Sequence, residues 1–407
     1  MVDVQTAIAI VFILALSALI YAKRSKFQFS GSFPFLYVGM LRTTWGLKSM
    51  DWLGTKLRKP IQWLAYVGIV IGFIGMAFIV VSLVKSTIAL FITPELAPGI
   101  QPVLPFEAKG VFFVPFIYWI VSIFVIAAVH EFAHGVVARA HNVKVKSSGF
   151  AFLGLILPLI PAAFVEPDEK QLTKRPAREQ WSVFAAGPFA NIILSILIIF
   201  AFGLDASPAF PHAITGKTAI VDFTELGQDL HVLTGLEITK VEPNSPAASS
   251  GLKVGDVVTA VNGVSVSNRE SIAKLVEELK PGQTVTLTAG ATTYSLVLGS
   301  HPQDAARGYI GITFDLQTAP APAAIARYGA TGVSVISFLM SLIVWIFILS
   351  LGIGLFNLIP LGPIDGGRMF KLAAEKIIGT RGTQLWKLVS YAILGMIFIN
   401  LFIGFFR

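Results

Sequence analysis

Apolar positions along the chain gather in six long runs, at roughly 5–22, 61–90, 111–139, 181–204, 333–359 and 386–405. A helix needs about 20 apolar residues to cross a hydrocarbon core, so each run is expected to be a transmembrane helix. Between about 205 and 330 the pattern changes to short alternating runs broken by Gly, Pro and charged residues. The fold expected is therefore mainly α, a polytopic membrane protein of about six transmembrane helices with a soluble α/β domain inserted between the fourth and fifth. Four regions follow: an anchor helix and basic loop over 1–60, a first membrane part over 61–204, the inserted domain over 205–330, and a second membrane part over 331–407.

One apolar stretch does not fit the helical pattern. Residues 148–165, SGFAFLGLILPLIPAAFV, are short for a crossing and contain Pro158 and Pro161, which break helices. Both ends of the stretch are expected on the same side, so the segment is expected to dip into the membrane and return. Non-helical backbone at that depth must be satisfied by protein or water, which makes it a candidate wall of an internal cavity.

Composition agrees with a membrane protein, with 55% hydrophobic and 13% charged residues. Charge then sets the orientation. Residues 23–60 carry eight Lys and Arg, 140–180 six and 361–387 five, whereas 92–110 holds Lys109 alone. Positive loops stay cytoplasmic, so these three loops are expected inside, with the N-terminus and the inserted domain outside. The first run has Lys23, Arg24 and Lys26 after it and no basic segment before it, which reads as a retained anchor. The net charge of +8 is accounted for by this asymmetry, and no basic-aromatic module suggests nucleic acid. Lys85, near the end of its span, is expected to snorkel to the interface. With no cysteine in the chain, a metal could be held only by His, Asp or Glu.

The chemistry sits in AAVHEFAHGVVARA, residues 127–140. His130 and His134 lie one turn apart on a helix and face the same way, which suits two ligands of one metal, and Glu131 beside them suits a general base. Ionisable groups inside a span are costly unless paired or bound. A third ligand is required. His141 would lie about 10 Å along a straight helix from His134 and is a poor ligand, and Glu166 sits in a charged, solvated segment. Asp365, in LFNLIPLGPIDGGRMF (355–370), follows a run broken by Pro360, Gly362 and Pro363 that can bend the chain and aim a carboxylate inward. An ordinary turn aspartate is the competing reading. Both sites belong to spans that run inward, so they come out at similar depth.

At these residues the sequence resembles the site-2 protease family of intramembrane zinc metalloproteases, which pairs H-E-x-x-H with a downstream N-x-x-P-x-x-P-x-D-G. Asn357, Pro360, Pro363, Asp365 and Gly366 match the second motif at the same spacing. The resemblance implies Zn2+ held by His130, His134 and Asp365, Glu131 as catalytic base and Asn357 as a donor to the oxyanion. It also includes a G-x-x-x-N pattern, met here as Gly187 and Asn191, for which packing is as good a reading as catalysis. In the inserted domain, Ser245-Pro246-Ala247, Gly251-Leu252, Gly255-Asp256 and Val261-Asn262-Gly263 resemble a PDZ domain, in the permuted order of bacterial envelope proteases. There LEITKV, DVVTAV, TVTLTA and TYSLVLG are expected as strands and SIAKLVEELK (271–280) as a helix, with Gly308 to Ile312 as the best match to a peptide-binding strand.

The function expected is hydrolysis of peptide bonds within transmembrane segments, with single-span membrane proteins as substrates and the bilayer as solvent. Two other classes compete: a catalytically inactive scaffold that binds membrane helices, and a metal transporter. The transporter would want carboxylates or His spread over several spans, and here the six His are two at the motif, one just beyond it and three in the inserted domain.

Overall fold

A helix apolar on every face has no side to offer to water, and six helices of the chain are of this kind. The computed structural model describes residues 4–406 except 33–35, 93–97, 156, 205–214, 216, 218, 267–271, 273–278 and 302–303. The chain forms two units, Met1–Ala201 with Ser341–Arg407, and Phe202–Met340.

In chain order the first unit contains α1 (Val4–Ala22), β1 (Phe27–Ser32), β2 (Leu36–Thr43), α2 (Leu47–Lys56), α3 (Arg58–Ile92), α4 (Phe116–Ala140), β3 (Val145–Leu155), β4 (Leu157–Pro167), α5 (Glu169–Leu172), α6 (Ala177–Phe202) and the later part of α7 (Pro322–Asn357). It ends with α8 (Asp365–Ile378) and α9 (Arg381–Phe406). The six spans are α1, α3, α4, α6, α7 and α9, long and apolar enough to cross a membrane. Outward-facing Val70, Ile74, Phe78, Leu388 and Phe398 are exposed, as a surface solvated by lipid requires. On α3 a buried stripe of Gly68, Gly72 and Gly75 receives its neighbours closely. A Cβ at these positions would come within 2.9, 2.9 and 2.6 Å of Phe189, Met369 and Leu358. Small residues at helical spacing permit this approach, which drives helix association in a solvent as apolar as leucine.

The segment 148–165 is a β-hairpin, not a bent helix. β3 and β4 pair antiparallel, with Phe150 opposite Ala163 and Phe152 opposite Pro161. The basic loop expected within 1–60 supplies the other half: β1 and β2 form a hairpin, and β2 pairs with β3, giving a sheet of order β1-β2-β3-β4. The backbone of β3 is thus paired on both sides, and that of β4 on the side that faces β3. Phe152 lies over Gly39 and edge-on to Tyr37, with ring centroids 5.9 Å apart.

The second unit holds β5 (His231–Val241), β6 (Val257–Val261), β7 (Thr284–Ala289), β8 (Thr292–Val297) and β9 (Ile312–Pro320), in the order β8-β7-β6-β5-β9, with the short strand Val264–Ser265 on β6. Buried Ile238, Val258, Val285 and Leu287 form its core. Asn262 and Gly263 turn the chain with φ of 51° and 76°, the conformation that a two-residue hairpin turn requires. The helix expected over 271–280 lies largely outside the described residues.

One polar network ties α9 to α3. Asn400, fully buried, donates to Thr87 Oγ1 at 2.8 Å and to Met396 O at 2.9 Å, and accepts from Gly99 N at 3.2 Å and Ser86 Oγ at 3.3 Å. Replacing Asn400 by Ala strands these partners in an apolar interior. Interhelical hydrogen bonds in membranes are worth about 0.6–1.7 kcal/mol, so a loss of about 1–3 kcal/mol is expected, read as a lower unfolding midpoint of the purified protein in detergent.

Candidate active site

α4 is apolar until its last three turns, where His130 and His134 are both buried on the face turned toward α6. His134 Nδ1 lies 2.6 Å from Val183 O. A carbonyl only accepts, so this nitrogen carries a proton, and in the neutral ring Nε2 keeps the lone pair. That Nε2 lies 3.1 Å from His130 Nε2 and 3.4 Å from Asp365 Oδ2, and His130 Nε2 lies 3.0 Å from the same carboxylate oxygen.

Asp365 reaches this point because the chain turns sharply after α7. Gly362 has φ of 42°, and Ser390 of α9 holds the turn, accepting from Gly362 N and donating to Pro360 O, both at 3.2 Å. The two glycines after Asp365 are needed for closeness. A Cβ on Gly366 would sit 2.2 Å from Leu358 O, and one on Gly367 would sit 2.4 Å from Gly362 O. Asp365 opens α8, where the helix dipole favours an anion. Trp181 Nε1 donates to Met369 O at 3.1 Å and pins α8 to α6.

Three ligand atoms within 4.8 Å of one another form the metal-competent group found among the described residues. The spacing fits an ion. Imidazole nitrogens about 2 Å from a four-coordinate metal lie roughly 3.3 Å apart, close to the observed separations of 3.0, 3.1 and 3.4 Å. α6 leaves the space empty: a Cβ on Gly187 would stand 2.4 Å from Nε2 of both histidines.

Glu131 borders the group, and its Oε2 accepts from Val165 N of β4 at 2.8 Å. The two carboxylates and His134 line a cavity of about 130 Å³ together with Val165, Glu169 and Arg368. Arg368 pairs with Glu169 at 2.5 Å and lies 4.3 Å over the Phe184 ring.

The remaining sequence candidates lie elsewhere. His141 Nε2 is 2.8 Å from Ser182 Oγ, and burial holds its pKa below the ordinary histidine value. Glu166 accepts from Ser147 Oγ at 2.8 Å and from Arg42 Nε at 3.2 Å, and the first of these bonds leads in keeping its pKa below the ordinary glutamate value. Asn357 closes α7 eight positions before Asp365, and among the described residues no hydrogen bond ties it to the group. Sequence reasoning passed over Val183, a backbone acceptor with no side-chain signal. It left Gly187 and Asn191 open between packing and catalysis, and their spacing puts both on the face of α6 that meets the imidazoles. Asn191 Nδ2 lies 3.2 Å from His130 Nδ1.

The family model for Peptidase family M50 matches residues 118–399, a span holding His130, Glu131, His134, Gly187, Asn191, Asn357 and Asp365. The chain belongs to peptidase family M50. An uncharacterized protein of Methanocaldococcus jannaschii is 26% identical over 348 residues, 83% of this chain and 78% of its own. Zinc metalloprotease RasP of Shouchella clausii is 25% identical over 260 residues, 54% of this chain and 56% of that one. RasP of Geobacillus kaustophilus is 26% identical over 257 residues, 53% of this chain and 55% of that one. The chain thus spans a little over half the length of the RasP relatives.

Gly187→Ala tests the emptiness that this M50 site requires. Alanine is favoured over glycine within a helix by roughly 0.5–1 kcal/mol, so the fold is expected to persist. The new methyl pushes both ring tips aside, and divalent-metal affinity is expected to fall about 10–100-fold, the usual loss when ligand orientation is disturbed, measured by equilibrium competition with a chelator.

Proposed function

We propose that this M50 peptidase is an intramembrane zinc metalloprotease that hydrolyses peptide bonds within transmembrane segments of other membrane proteins. The observation that carries the reading is the convergence of two imidazole nitrogens and one carboxylate oxygen beside Glu131, among helices long and apolar enough to span a bilayer. His130, His134 and Asp365 hold the zinc. When bound, zinc supplies a Lewis acid that polarises a carbonyl and brings the pKa of water toward neutrality.

The residues of the chain do the rest. Val165 N–H anchors one oxygen of Glu131 at 2.8 Å. The other oxygen takes the proton of the attacking water and returns it to the leaving amine, as a general base that becomes a general acid. Asn357 donates to the oxyanion. A helical substrate hides its carbonyls in internal hydrogen bonds, so the target segment must unwind before attack, and helix-breaking residues near the cut favour cleavage. β4, at the edge of its sheet beside Glu131, offers the unwound strand a backbone to pair with.

The Lys and Arg asymmetry of the loops assigns the site to the cytoplasmic side, and the N-terminus and inserted domain to the outside. The inserted domain reads as PDZ-like. Of the segment Gly308 to Ile312 assigned to peptide binding, Gly308 and Tyr309 pair with Ser300 and Gly299 in a separate hairpin, and only Ile312 enters the edge strand β9. Single-span proteins are the expected substrates. An inactive scaffold would have no use for a complete set of ligands and base.

Cleavage of a single-span model substrate in detergent, alongside zinc content, tests the assignment. Glu131→Gln is expected to retain zinc and lose at least about a hundredfold in rate, in line with general-base contributions of 10²–10⁴; full cleavage by this variant removes Glu131 from the mechanism. Asp365→Ala is expected to lose both zinc and cleavage, and chelation of the wild type to abolish cleavage until zinc is restored.

A further inference from the structure

Asn191 is fully buried on α6, and its backbone carbonyl is fixed by Ser350 Oγ at 2.9 Å and Ser195 Oγ at 3.1 Å. Among the described residues its side chain makes a single hydrogen-bond contact, 3.2 Å to His130 Nδ1, and its Oδ1 is buried with no partner. Asn400 shows what a packing asparagine looks like in this protein, with four hydrogen bonds that use both ends of the amide. An amide half unpaired in an apolar interior costs roughly 1–3 kcal/mol, so packing alone is a poor reason for Asn191.

The imidazole it touches supplies a better one. For His130 to offer a lone pair at Nε2, its proton must sit on Nδ1, and the partner of Nδ1 must then be an acceptor. His134 meets this condition through Val183 O. The two ends of a carboxamide exchange by a half-turn, and pairing decides which end faces which neighbour. With Nδ2 toward His130 two donors confront each other in the metal-ready tautomer; with Oδ1 there, the contact becomes Nδ1–H donating to oxygen. The tautomer of His130 distinguishes the two.

We propose that Asn191 is a positioning residue for the metal: its amide oxygen accepts from His130 Nδ1–H and fixes the tautomer that leaves Nε2 for the ion. This rests on the metal-site reading above. Partners that accept from the distal N–H of a metal-bound histidine both orient the ring and raise its basicity.

The test uses the full chain in detergent, with zinc itself as the probe and chelator competition as the readout. Asn191→Leu keeps the volume and removes the acceptor, Asn191→Asp keeps an acceptor, and Asn191→Ala replaces the leucine variant if that does not fold. The apolar variant is expected to bind zinc about 10–100-fold more weakly, with the thermal midpoint of the metal-free protein unchanged or higher, and the aspartate variant is expected to return to within a few-fold of wild type. Wild-type affinity in the apolar variant, or failure of aspartate to restore it, overturns this inference alone. A wild type that binds no zinc overturns it together with the metal-site reading.

Discussion

Two imidazole nitrogens and a carboxylate oxygen lie within 3.0–3.4 Å of one another in a buried setting, and with their lone pairs turned inward they repel unless something positive lies between them. That tension organises the first unit. Two of the atoms come from one turn of α4, and the third arrives from 235 positions away. Other elements hold the meeting point. α6 contributes an acceptor for one ring at Val183, a contact to the other at Asn191, and at Gly187 the absence of a side chain where one would fill the site. α9 braces the turn that aims Asp365.

A second constraint is the backbone itself. In hydrocarbon every N–H and C=O must find a partner, which ordinarily leaves only helices and closed barrels. The four-stranded sheet satisfies its backbone between strands and stops at β4. That edge strand carries Pro158, Pro161 and Pro167, which remove donors where nothing would accept them. Val165 keeps its N–H, and Glu131 takes it. The sheet edge and the base are therefore coupled: a strand that pairs with β4 at Val165 competes for the donor that anchors Glu131.

The helices were legible because a 20-residue apolar run has few other outcomes, and the histidine pair because helical spacing turns an i, i+4 pattern into one face. Asp365 was legible through its proline- and glycine-broken approach, which announces a bend without saying where it leads. The sheet was half legible. Pro158 and Pro161 ruled out a helix over 148–165, but residues 27–43 were read only as part of a basic loop, although Phe27, Phe29, Phe33, Phe35 and Tyr37 alternate as strand positions do. Strand pairing across a hundred residues is a property of the fold, not of either segment. Val183 was invisible because a backbone carbonyl has no letter of its own. Asn191 was visible as a residue and not as a role, since an amide that packs and an amide that orients a ring look alike until the ring is placed.

The cavity sets the last condition. About 130 Å³ beside the group is open to water-sized molecules, and the contacts along its wall differ in strength. Its helical side is fixed by Trp181 and by the close packing of Gly366 and Gly367. Its other side includes the Arg368–Glu169 pair, whose side chains are 37% and 56% exposed. Ion pairs so open to solvent are worth about 0–1 kcal/mol, and this one closes a chain of 199 residues with little energy behind it. Arg368 keeps its stacking on Phe184 when Glu169 leaves. The weakest contact along the wall is therefore the one between α5 and α8, on the same side as the β4 edge.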